Sequence, residues 1–202
     1  MQKKLARVIS TVFSPGIWWI LILLFGVYLS NLGKFYSTIW FLVIVVLNGI
    51  VPYFSLLLFT KKGYIFDDTL DKKDVHKQRM GIYLLILITQ LMELLVLALT
   101  NQSQPLLAIL TTSVVIAAAS LMIIYFWKIS LHSTIITFVV GLVVIKFGLA
   151  FLPLAILILL MMWSRVVLKR HTLAQVIAGS VLTILALIIT FNFYGLIRTN
   201  IN

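Results

Sequence analysis

"SRVVLKRHTLAQVIAGSVLTILALIITFNFYG", residues 164–195, sets a basic stretch directly before an apolar run. The run from residue 173 to about 195 is long enough to cross the hydrocarbon of a bilayer as one helix, at about 1.5 Å per residue. In lipid every backbone polar group needs an internal partner, so a run of this kind reads as helix. The basic part carries Arg165, Lys169, Arg170, His171 and Gln175, and about ten apolar residues precede it. Such a stretch is either a snorkelling collar or part of a site, and the chain's other polar residues decide between the two.

Outward from this stretch the same pattern recurs. Apolar runs fall at about 12–31, 37–60, 80–100, 104–126, 133–148 and 152–168. Hydrophobic residues make up 62% of the 202, and charged residues only 10%, more apolar surface than a soluble core needs. The expected fold is therefore all-α: a single polytopic membrane helix bundle of about six or seven transmembrane helices. The fifth and sixth runs are short and separated only by "KFGLAFLP", so a re-entrant hairpin is open there. The N-terminal "MQKKLARVISTVF" is basic and leads into an apolar run without a small-residue cleavage site, which reads as a retained first helix. Cysteine is absent, which excludes disulfides, thiolate metal sites and a cysteine nucleophile.

Alternating the faces of seven spans sorts the charges. The N-terminal face carries Lys3, Lys4, Arg7, Lys61, Lys62, Lys72, Lys73, Lys77, Arg79, Lys128, Arg165, Lys169 and Arg170, and the other face Lys34, Lys146 and Arg198. That bias places the N-terminus and its face in the cytoplasm of a multi-pass cell-membrane protein. The net charge of +11 lies in short loops between apolar runs, so no nucleic-acid partner is expected. All three histidines (His76, His132, His171) and all four aspartates (Asp67, Asp68, Asp71, Asp74) fall on this face as well. Chemistry is concentrated at one membrane surface.

Three clusters make up that concentration. In "KKDVHKQR", Lys72 and Arg79 are seven apart and project from one side of a helix entering the third span, a pair of cations suited to phosphate. In "WKISLHS", Lys128 and Ser130 stand before a helix N-terminus, which favours an anion, and His132 is the group there able to exchange a proton near neutral pH. In "SRVVLKRHTLAQ", Arg165 ends one span, His171 opens the next, and Gln175 lies one helical turn on. From there its side chain can hydrogen-bond one imidazole nitrogen and leave the other to act.

In order, Lys72…Arg79, Ser130-Leu131-His132 and Ser164-Arg165…His171 resemble the three signature motifs of the type 2 phosphatidic acid phosphatase (PAP2) superfamily, in the manner of a small prokaryotic integral-membrane branch. The resemblance covers about residues 60–185 and implies a PAP2/chloroperoxidase-like helical core. It implies His171 as nucleophile, forming a phosphohistidine, and His132 as the acid that protonates the leaving alkoxide and then activates water. Lys72, Arg79, Lys128, Ser130 and Arg165 would hold the phosphoryl oxygens, and Gln175 would orient His171. The implied substrate is a membrane lipid phosphate met in the bilayer: phosphatidate, a polyprenyl phosphate or diphosphate, or phosphatidylglycerophosphate. Neither cofactor nor metal enters the implied scheme, and the oligomeric state is left open. Three positions depart from the pattern. Met80 stands for a proline, Leu131 for a glycine, and Gln175 for a carboxylate, so charge stabilisation of an imidazolium is lost there.

Other readings compete. Asp67, Asp68 and Asp71 in "DDTLD" resemble the magnesium-diphosphate motif of prenyl-chain enzymes, but the chain's one further acid beyond that loop is Glu93, in mid-span. A catalytically silent lipid-phosphate binder fits Leu131 and Gln175. A small transporter would use Gln90, Glu93 and Lys146, and a Glu93–Lys146 ion pair between spans is the structural alternative for those residues.

Overall fold

Apolar runs close their backbone hydrogen bonds internally, and in a computed structural model of the chain they do so as α-helices, with one π and one 3₁₀ segment among the described residues. The structure describes residues 1–55, 72–100, 103–124 and 126–197, apart from the side chains of 72–79 and 82. No strand occurs among the described residues. The aspartates Asp67, Asp68 and Asp71 lie outside them.

The helices are α1 (Gln2–Val12), α2 (Pro15–Leu29), α3 (Lys34–Ile44), α4 (Lys72–Thr100), α5 (Gln104–Ile124), α6 (Leu131–Phe147), α7 (Ile156–Val167) and α8 (Leu173–Phe193). Among the described residues six helical segments are long and apolar enough to cross a membrane, and α6 is a shorter apolar helix of 17 residues. The described residues are thus helical and of membrane-protein character. Helix boundaries differ from the sequence reading in two informative places. The basic N-terminus is itself a helix, α1, separated from α2 at Phe13 and Ser14, just before Pro15. Residues 149–155 before α7 wind as a 3₁₀ helix with Pro153 inside it, where a missing N–H and a fixed φ disfavour a regular α-turn.

Two compact bodies form, Met1–Ile22 with Lys128–Asn202, and Leu23–Trp127. In the second body α4 packs along α5. A π-helical segment, Val45–Ile50, follows α3, and Asn48 within it donates from Nδ2 to Glu93 Oε1 of α4 at 2.5 Å. Glu93 is buried, and its mid-span carboxyl takes an amide partner within the same body.

The first body is built on two seams. Between α6 and α8 the contacts are small and hydroxylic: Thr137 Oγ1 donates to Ser180 Oγ at 2.8 Å, and Thr134 Oγ1 reaches Gly179 O at 3.4 Å. A Cβ on Gly179 would stand 2.9 Å from Ser130 O and 3.1 Å from Thr134 Oγ1, so only glycine admits this approach. Without a hydrophobic drive between helices in lipid, close backbone packing of this kind is what joins them. The second seam joins α1 to α7, where Ser164 Oγ donates to Ala6 O at 2.6 Å. Helix α6 ends at Gly148, whose φ of 94° lies in the region that favours glycine, and the chain folds back so that α7 packs on α6.

Candidate functional site

The start of α6, the end of α7 and the start of α8 belong to the first body, and each delivers part of the polar cluster. Ser130 is the N-cap of α6. Its buried hydroxyl accepts from Ser133 N at 3.5 Å and from Ser133 Oγ at 3.1 Å, while its carbonyl accepts from Thr134 N. The Ser130 side chain is thereby committed to starting the helix. His132 sits in the first turn that this cap creates, at the positive end of the helix dipole, half-buried and beside the backbone of Ser10.

Arg165 stands in the last turn of α7. Its Nη1 donates to Ser10 Oγ at 2.7 Å, and its buried Nε has no hydrogen-bond partner in the structure. The chain leaves α7 through a two-bond turn: Lys169 N donates to Val166 O at 2.9 Å and Arg170 N to Arg165 O at 3.0 Å. That is the Schellman pattern, with Lys169 in the left-handed position (φ 54°) where glycine is usual. The turn carries the chain from Arg165 to His171, and Lys128 Nζ ties the approach to α6 to it by donating to Arg170 O at 2.8 Å.

His171 precedes Thr172, the N-cap of α8, and a capping box follows. Thr172 Oγ1 accepts from Gln175 N at 3.4 Å, and Thr172 N donates to Gln175 Oε1 at 3.1 Å. The same Oε1 lies 3.2 Å from His171 Nδ1. A backbone N–H can only donate, so the Gln175 atom facing it is the oxygen. Nδ1 of His171 must then carry a hydrogen, and Nε2 is left as the ring's free base.

Charge surrounds this ring. Burial first, then the cations Lys128 and Arg165, lower its pKa to about 3, with the Gln175 hydrogen bond opposing and His132 adding slightly. His171 is thus neutral across the physiological range. Arg165 also acts electrostatically on His132, and His132 on His171. The first body accordingly brings together Lys128, His132, Arg165, His171 and Gln175. An unprotonated imidazole nitrogen beside fixed cations and a spare buried guanidinium donor can receive an anionic electrophile.

Lys72 and Arg79 both lie in the first turns of α4, within the second body, and their side chains fall outside the described residues. Ser10 and Thr172 were not picked out from the sequence. The signal for Ser10 was present: Lys3, Arg7 and Ser10 recur at helical spacing and mark one face of α1. Thr172 with Gln175 three residues on, before an apolar run, spells a capping box.

No family model matches the chain. No curated protein and no solved structure shows significant similarity to it.

Proposed function

We propose that the chain is an integral-membrane lipid phosphatase of the PAP2 type, hydrolysing a lipid phosphomonoester or diphosphate through a phosphohistidine. The observation that carries this reading is the His171–Gln175–Thr172 network, which leaves Nε2 of a neutral imidazole as a nucleophile beside Arg165 and Lys128. In the first step Nε2 attacks phosphorus, a P–N bond forms, and the P–O bond to the lipid breaks. The departing alkoxide takes a proton from His132. A phosphate anion bound alongside favours the protonated form of that histidine. In the second step water attacks phosphorus, His132 takes its proton, the P–N bond breaks, and inorganic phosphate leaves.

Arg165 offers its free Nε to a phosphoryl oxygen, and Lys128 contributes charge. Ser130 acts through the helix start that it caps, and Lys72 and Arg79 are assigned as further phosphate clamps from the motif resemblance alone. The site is assigned to the cytoplasmic surface from the charge bias, with lipid tails remaining in the bilayer.

The test is phosphate release from a panel of lipid phosphates by the purified chain in EDTA, with His171→Ala alongside. Release that survives EDTA and is lost in the variant is the expected outcome. Strict magnesium dependence would favour the aspartate-rich diphosphate chemistry. Tight lipid-phosphate binding without release would identify a silent binder.

A further inference from the structure

We propose that a basic cavity between α1 and the turn after α7 binds the phosphate headgroup of an anionic bilayer lipid, at a site separate from the histidine cluster. The cavity measures about 370 Å³, within the usual size range of ligand pockets, and its lining includes Lys3, Arg7, Ser10, Arg165, Lys169 and Arg170. Five of those six are cations, and no described carboxylate lines it. The cavity shares Arg165 with the histidine cluster, together with Ser10, which holds Arg165. Neither histidine is part of its wall.

Like charges held around one space repel, and an anion relieves that repulsion. The turn adds to it: Lys169 occupies a left-handed position where a glycine would be unstrained, and it lines the cavity. Helix α1 supplies the opposite wall and indicates which anion arrives. Its Lys3 and Arg7 line the cavity, while Leu5, Val8 and Val12 are each more than half exposed on an apolar face. A helix with one cationic and one exposed apolar side lies at the level of lipid headgroups, where the abundant anion is the lipid phosphate. The segment Gln2–Leu29 has 28 residues, more than the roughly 20 needed to cross the hydrocarbon, so its first turns have length to spare in that layer.

Lipid retention by the full chain in uncharged detergent tests this, read by native mass spectrometry with dioleoyl phosphatidylglycerol against dioleoyl phosphatidylcholine. Wild type is expected to retain one phosphatidylglycerol at an at least tenfold lower concentration than phosphatidylcholine. Lys3→Gln with Arg7→Gln should erase at least fivefold of that preference. Lys169→Gln with Arg170→Gln should do the same from the other wall, which keeps the test alive if one pair fails to fold. Lys34→Gln with Lys146→Gln removes the same charge elsewhere and should retain the preference. Equal loss in that control, or an unchanged preference in both cavity pairs, would overturn the proposal. Displacement of the lipid by inorganic phosphate at low millimolar concentration would also overturn it, by identifying a site for free phosphate.

Discussion

At the scale of single residues, His171 carries the sharpest consequences. Folded, it takes up a proton only near pH 3; unfolded, near 6.5. Between those values the unfolded chain binds more protons, so this group's contribution is fully present above about 6.5 and lost as pH falls towards 3. Its reactivity follows the same sign. Carbethoxylation of His171 by diethyl pyrocarbonate, followed by peptide mass spectrometry, should keep its rate within about twofold between pH 7.5 and 5.5. An ordinary histidine slows about tenfold over that interval. Gln175→Ala removes the acceptor on Nδ1 and half of the capping box, and should lower kcat about 10- to 100-fold, in the range seen when the partner orienting a functional histidine is removed. Gln175→Glu keeps the cap and adds charge, so it should raise the His171 pKa, shifting the carbethoxylation profile to higher pH without loss of stability. The i, i+4 spacing of His171 and Gln175 made their hydrogen bond legible in the sequence. That Thr172 N–H shares the same oxygen, and so decides the tautomer, was not legible, because it depends on where α8 begins.

At the scale of elements, the site depends on how closely α6 and α8 approach. A methyl group at position 179 would meet the Ser130 carbonyl, which is backbone and cannot swing aside. Gly179→Ala should therefore cost about 1–3 kcal/mol in thermal or denaturant unfolding and separate the two helix starts that carry His132 and His171. Lys169→Gly acts in the opposite direction, relieving the left-handed strain and stabilising the chain by about 1 kcal/mol. Most helices were legible because apolar runs of membrane-spanning length leave the backbone one way to satisfy itself. The α1–α2 break was not, since Phe13 and Ser14 carry no strong stop signal and Pro15 suits the start of a helix as well as its end. The π segment around Asn48 was equally hidden, and so was the partner of Asn48 within it, Glu93, 45 residues away.

At the scale of the whole molecule, the charge bias predicts a topology that single cysteines can test, since the native chain has none. In intact cells, a cysteine at Lys169 should resist a membrane-impermeant maleimide and one at Lys34 should react. The reverse pattern would move the chemistry to the exterior. The packing of α1 on α7 agrees with the sequence-level assignment of Lys3, Arg7, Lys169 and Arg170 to one face, because these four line a common cavity. That His132 and His171 gather with Lys128 and Arg165 was legible from alternation alone. Which cations share a space was not, since that requires knowing that residue 6 meets residue 164.

That last contact has a temporal side. Ala6 is made 158 positions before its partner Ser164. The first body is closed by two segments far apart in the chain, whereas Leu23–Trp127 is continuous. A growing chain must therefore carry α1 without this partner, held by its own amphipathic character, until α7 emerges to receive it.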